Sequence, residues 1–537
     1  MSRQKTAFLI FVASVGLFLA GLQNVEFTRI NCRFALFVYE MMNGNLGPFP
    51  TLYGKHYCDY LSVHTYLMYL SSYLGGVSML TVTLPSALAA AGVMTFTYLI
   101  GERMSHKFGL FAVILLACSY EFLCIARAPS PDMFVALASI TAFYLMYTAE
   151  LENKAARLFL LPLLFVFGFV MRGPIGAIIP IGVVFVFYLT ARRWKTAVAG
   201  GVLGTLVLAC CIMLLVIHIH DLGGRELFKE WQQAMIGSRM GNGKPFWFYF
   251  TNAVGSFSIG YPLALFVMGT YVWIKRKKYF SHAHKDSYSA LRQHLTGWFF
   301  VIVIGMSIPG TKHLRYVTAA LPAAALLAAF VFVNPDKFEI FKKVRMIFLK
   351  LCYAVPFLAL IAIIGGAIVL RILKLDVPIP MFLPAIMFII LGFALISGTK
   401  KIKNLDKVMY ITALTAVCFF VIKIMILEPL DTYLESSYKF VKVIEEKRPS
   451  ESKICFLGID KDNEALKYLV NILPKKKFYT PYFVGLHECE KLMELPDNTL
   501  IVVKKGKTIA PEALKHLKEV ARGKLGHRKC VLYMLVK

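Results

Sequence analysis

Val25-Glu26-Phe27-Thr28-Arg29 follows directly on the first hydrophobic stretch of the chain, where a helix crossing a bilayer would emerge. It opens a polar, aromatic-rich segment that runs to residue 80, and many further hydrophobic stretches come after it. Ionisable groups at the edge of the hydrocarbon are costly unless paired or hydrated, so an acid and a base placed there read as a functional pair. The plainer reading is a helix-end ion pair of Glu26 with Arg29 or Arg33.

The rest of the chain supports the membrane setting. Of its 537 residues 58% are hydrophobic and only 17% are charged, and the mean hydropathy is +0.63. A soluble protein of this length carries more charge and shorter apolar runs. The formal charge of +28 does not point to nucleic acid, because the cations sit in short loops between apolar stretches. Arg192-Arg193-Trp194-Lys195, Lys275-Arg276-Lys277-Lys278 and Lys400-Lys401-Ile402-Lys403 are the clearest of these. Basic loops flanking spans mark a cytoplasmic face and meet anionic lipid headgroups.

The expected fold is all-α and polytopic, with about thirteen spans by the criterion of roughly 20 apolar residues each. They fall near 6–22, 81–100, 108–125, 132–149, 157–171, 174–190, 197–218, 253–275, 294–308, 315–333, 350–371, 380–397 and 408–427. With the N-terminus inside, all the basic clusters share one side and the C-terminal segment lies outside. Arg172-Gly173-Pro174 is read as a tight outer turn, although a charge within one kinked helix is also compatible with it. The first stretch reads as an uncleaved span, since it lacks a small-x-small cleavage site. The sequence contains no Asn-x-Ser/Thr sequon, which favours a bacterial membrane over the endoplasmic reticulum.

Two outer loops are long, 23–80 and 221–249. The first contains an amphipathic stretch, 33–42, expected to lie along the interface. From residue 428 the composition becomes that of a soluble α/β domain, so the chain divides into 1–427 and 428–537. Strands are expected at 453–459, 499–504 and 529–536, and helices at 463–473 and 511–522. The eleven cysteines form no metal-type CxxC pattern, and only Cys32 and Cys58 share an outer loop where they could pair.

The chemistry-bearing residues gather in the outer loops. Lys55, His56, Asp59 and Tyr60 follow Glu26 and Arg29 in the first, and Arg225, Glu230, Arg239 and Lys244 lie in the second. Arg127 and Asp132 flank Ala128-Pro129-Ser130-Pro131, and Lys312-His313-Leu314-Arg315-Tyr316 precedes the tenth span. Any one of these fits an ordinary solvated loop with its aromatic belt, but together they place acids and bases on one membrane face. A transporter or flippase would instead place its ionisable residues near the midplane on broken helices, with paired repeats.

Glu26-Phe27-Thr28-Arg29 with Tyr39-Glu40-Met41 resembles the acidic-x-Thr-Arg … Arg-Glu-Met opening of the membrane glycosyltransferases of the GT-C fold. These are the aminoarabinose:lipid A transferase and the bacterial relatives of protein O-mannosyltransferases. The similarity continues through Gly54–Tyr60, Pro131-Asp132-Met133, Met171-Arg172-Gly173-Pro174, Pro245–Tyr249, Gly310-Thr311-Lys312-His313 and Leu321-Pro322. Glu26 stands where the family usually has Asp. Asp59 matches an acid-Lys-Pro element whose lysine and proline are absent.

The resemblance implies a donor sugar on a polyprenyl phosphate and a lipid A-like or other extracytoplasmic acceptor. A protein acceptor, as in O-mannosylation of secreted Ser/Thr, is the alternative. It implies catalytic roles for Glu26 and Asp132, and donor-phosphate contacts from Arg29, Lys55, Arg127, Lys312 and His313. Asp59, Tyr60, Arg239 and Tyr316 fall to the acceptor or the loops, and a divalent metal on Asp59 and His56 stays open. The chemistry is coherent without the resemblance: the phosphate leaves as a stable anion and needs cations rather than a general acid. A hydroxyl acceptor needs one carboxylate base.

Overall fold

The computed structural model describes residues 2–28, 30–237, 239, 243–252, 254–276, 287–372, 382–402, 404–448, 454–472, 481–485, 489–506 and 514–537. Arg29 and the cluster at 277–278 lie outside them.

Each of the thirteen expected stretches overlaps helix among the described residues, with 108–125 divided between two helices. Among the described residues nine helices are long and apolar enough to cross a membrane, or ten if a bent pair counts as one span. That pair is His106–Ala117 with Tyr120–Ala126, bent by 77°. Pro174–Thr190 is apolar but shorter. The chain is a multi-pass membrane protein of helical architecture, with a small sheet near its C-terminus.

Arg172-Gly173-Pro174 is a turn between two separate helices, Leu161–Arg172 and Pro174–Thr190. Gly173 takes φ 71°, a conformation glycine adopts without penalty. The two helices then run so close that a Cβ on Gly168 would lie 2.1 Å from the Gly176 carbonyl oxygen. At the basic end of the bundle, Arg103 and Arg157 both pair with Glu152, Arg193 with Glu150 and Lys107 with Asp406. These pairs gather Arg103, Lys107, Arg157 and Arg193 at one end.

The first loop departs from expectation. Helix Asn31–Met42 leaves no open apolar face: Cys32, Phe34, Leu36, Phe37, Val38 and Met41 are all buried. Both faces are apolar, and the C-terminal segment covers one of them with helix Glu464–Ile472. Tyr53 donates to the Lys461 carbonyl at 2.6 Å and packs on Phe483 at 5.5 Å. Cys32 and Cys58 are free thiols in separate apolar clusters. In the second loop, helix Trp194–Gln232 continues well past the expected end of its span and kinks at Gly224.

Two short strands, β1 (Thr51–Leu52) and β2 (Lys55–His56), form a hairpin in the first loop. The C-terminal sheet has the order β4-β3-β5-β7-β6, from β3 (Cys455–Leu457), β4 (Tyr482–Val484), β5 (Leu500–Lys504), β6 (Leu517–Leu525) and β7 (Arg528–Leu535). The expected helix 511–522 is corrected: its part from Leu517 is strand β6, while 511–513 lie outside the described residues. Pairing with β7 through a two-residue turn, Gly526-His527, overrides the local helical propensity.

Candidate active site

Two helix ends and three loops meet at the end of the bundle opposite the Glu152 pairs. Asp132 is the first residue of helix Asp132–Glu152, and Arg172 is the last of Leu161–Arg172. Arg172 Nε donates to Asp132 Oδ1 at 3.0 Å, and Arg315 Nε lies 3.4 Å from Oδ2. Ser130 Oγ donates to the same Oδ2 at 3.4 Å. Asp132 is buried, so two guanidinium groups offset one desolvated carboxylate.

The first loop closes over this cluster. Arg172 lies over the Tyr60 ring at 4.8 Å and reaches the Asp59 carbonyl at 3.4 Å. The Asp59 carboxylate is held by Arg239 of the second loop at 2.8 Å. Asp132, Asp59, Tyr60, Arg239 and the 312–316 turn thus come together through Arg172 and Arg315. Arg172 and Arg315 lie within Met171–Pro174 and Lys312–Tyr316, but nothing local in the sequence marks them as the residues that bind the cluster.

The 312–316 turn is anchored from within. Lys312 is buried, and its ammonium donates to the carbonyls of Lys244 at 2.9 Å and Pro309 at 2.5 Å. The Tyr249 hydroxyl donates to the His313 carbonyl at 3.2 Å. The His313 ring sits edge-on to Tyr316. Partial burial, then Arg315 and Lys244, hold its imidazole below the usual histidine range. Beside Tyr316 a narrow cavity of about 10 Å³, room for one water, opens between Asp132, Arg315, Val135, Ile175, Ile179 and Met306.

Glu26 is half-buried against the C-terminal segment, where it accepts from Ser436 Oγ at 3.2 Å. Burial raises its carboxyl above the ordinary value, against smaller opposing effects of the Ser436 hydrogen bond and Lys524. Arg33, the alternative ion-pair partner, instead donates to Tyr57 at 2.7 Å.

Three expected contacts fall elsewhere. Arg127 is buried in a complete set of hydrogen bonds: Nε and Nη2 to Glu428 at 2.9 and 2.6 Å, and Nη1 and Nη2 to the carbonyls of Leu17, Phe18 and Ala20. Its five donors are occupied, so it has none to offer a phosphate. Lys55 and His56 are exposed on the β1–β2 hairpin. The pair Asp59 and His56 does not fit a metal: Asp59 is engaged by Arg239, and His56 is exposed with Phe49 as a ring neighbour at 6.5 Å. Among the described residues no three His, Cys, Asp or Glu side chains gather as metal ligands.

Comparison with known proteins agrees with this architecture. A family model described as dolichyl-phosphate-mannose-protein mannosyltransferase matches residues 62–217, which include Asp132 and Arg172. A protein of Aquifex aeolicus described as uncharacterized is 26% identical over 280 residues, 51% of this chain and 53% of its own. An undecaprenyl phosphate-alpha-4-amino-4-deoxy-L-arabinose arabinosyl transferase of Pseudomonas paraeruginosa is 24% identical over 261 residues, 46% of this chain and 47% of its own. The chain spans about half the length of these curated relatives. Crystal structures of ArnT from Cupriavidus metallidurans, apo and bound to undecaprenyl phosphate, superpose with TM-scores of 0.69 and 0.68. They cover 99% of this chain and 98% of theirs at 15% and 14% identity. The chain has the fold of ArnT throughout its length, and it is similar in sequence to polyprenyl-phosphate sugar transferases of the GT-C type.

Proposed function

We propose that the protein is a membrane glycosyltransferase that moves a sugar from a polyprenyl phosphate to an extracytoplasmic acceptor, a lipid of the lipid A class in the first instance. The observation that carries this reading is the convergence of Arg172 and Arg315 on buried Asp132, with Arg239 on Asp59, at one end of a helical membrane bundle. Cations fixed by carboxylates in a dry setting are pre-organised for an anion, and they stabilise charge that grows on a leaving phosphate. Among the described residues Lys312 spends two of its three donors on carbonyls, which leaves the third for a ligand.

In this reading the acceptor hydroxyl gives its proton to the Glu26 carboxylate as its oxygen attacks the anomeric carbon. The bond from that carbon to the phosphate oxygen breaks, and polyprenyl phosphate departs as an anion. One displacement inverts the anomeric centre. Asp132, bound by two arginines, is a poor proton acceptor and serves to orient them. Burial makes Glu26 the more basic carboxyl of the two roles.

The site and the segment 428–537 belong on the periplasmic side of a bacterial inner membrane, with 1–427 as the membrane unit. The basic loops at the opposite end favour that orientation. Purified protein incubated with a panel of polyprenyl-phosphate sugars should consume one of them and release polyprenyl phosphate. Consumption of none, with a folded protein, would overturn the reading.

A further inference from the structure

One carboxyl near the cluster has no part in the scheme above. Glu121 sits in the first turn of helix Tyr120–Ala126, just past the 77° bend. The backbone donors there are already satisfied: Tyr120 N–H by Ser258 Oγ at 3.1 Å and Glu121 N–H by the Ser256 carbonyl at 2.8 Å. The Glu121 carboxylate therefore caps nothing, and among the described residues it makes no hydrogen bond or ion pair. Its helix packs on the turn that carries Arg315. Arg315, Asp132 and Lys423 are the charged groups within its electrostatic reach.

Arg315 has a matching vacancy in its bonding. Its Nε is buried and among the described residues makes no hydrogen bond of good geometry, although Asp132 lies at 3.4 Å. A buried donor and a neighbouring carboxylate, both unspent, are costly unless a ligand completes them. A ligand that offers an anionic oxygen to Arg315 and a hydroxyl proton to Glu121 would complete both.

We infer that Glu121 is a specificity-determining residue that accepts a hydrogen bond from a ring hydroxyl of the donor sugar while Arg315 holds the attached phosphate. This rests on the transferase reading and adds a sugar subsite to it. Carboxylates suit such a task because they accept from hydroxyls through either oxygen.

The test uses full-length protein and two probes: bare decaprenyl phosphate, and the polyprenyl-phosphate sugar that wild type consumes in the panel. Glu121→Ala should raise KM for the sugar donor by about tenfold or more, the range for a lost hydrogen bond to a charged group. Its affinity for decaprenyl phosphate should stay unchanged or tighten, since a negative charge beside Arg315 is gone, and this retained binding also shows that the variant is folded. Glu121→Gln, which keeps one acceptor oxygen, should fall between wild type and Glu121→Ala. Equal weakening toward both probes, or no change toward either, would overturn the assignment. Wild type that neither binds decaprenyl phosphate nor consumes any donor would instead overturn the transferase reading beneath it.

Discussion

Arg127 and Glu428 are joined by two charge-assisted hydrogen bonds although 301 positions separate them. The same guanidinium holds the last carbonyls of the first helix, so the exit of that helix, just before Glu26, is tied to the start of helix Glu428–Glu435. Ser436, the partner of Glu26, follows directly on that helix. Removing one member of a buried pair leaves the other uncompensated, at about 3–5 kcal/mol. Arg127→Ala should therefore lower the thermal unfolding midpoint markedly, as should Glu428→Ala, and the double variant should recover part of the loss. An Arg127→Ala protein of normal stability but without decaprenyl phosphate binding would restore Arg127 as a phosphate ligand.

Glu26→Gln should nearly abolish turnover and leave decaprenyl phosphate binding intact, because Gln keeps the size but takes no proton. Turnover within a few-fold of wild type would remove Glu26 as the base.

The pH profile follows from the same residue. A base works only when ionised, and burial raises Glu26 above 4.5, so the acid limb of activity should lie above that value. Ser436→Ala removes a hydrogen bond that favours the ionised form and should move the limb upward by roughly half to one unit. The sign for stability is the corresponding one: the fold favours protonated Glu26, so this contribution is present below 4.5 and is lost as pH rises through the raised value. A limb that stays in place or moves down in Ser436→Ala would dissociate it from Glu26.

Arg315→Lys should retain only part of the activity of wild type, and Arg315→Ala should lose more than about a hundredfold. An ammonium supplies charge but not the planar pair of donors that grips a phosphate. The loss should appear mainly in kcat, because leaving-group charge grows in the transition state. Arg193→Ala, at the opposite end of the bundle, should leave turnover unchanged, and the reverse pattern would put the active site on the basic face.

Orientation has its own measurement. Reporter fusions after Ala191 should be cytoplasmic, and those after Lys244 or Lys505 should be outside, because the basic loops fix the sidedness. A cytoplasmic signal at Lys505 would reverse the assignment of the C-terminal segment.

The sequence by itself determined the membrane class, the helical stretches and the turn at Gly173, because each depends on local apolar length, charge position or a single glycine. It also placed Asp59, Asp132, Arg239 and 312–316 between or at the ends of apolar stretches. Only the tertiary structure decided which of these meet. Arg127 and Arg172 look alike in sequence, each beside a Pro-containing turn near a span end. One is consumed by Glu428 and three helix-end carbonyls; the other is aimed at Asp132 and Tyr60. Helix 31–42 shows the same thing, because its second apolar face is covered by a segment more than 400 residues away. Partners so distant in the chain leave no periodicity or spacing to read, and a buried polar group takes its role from whichever partner the fold brings to it.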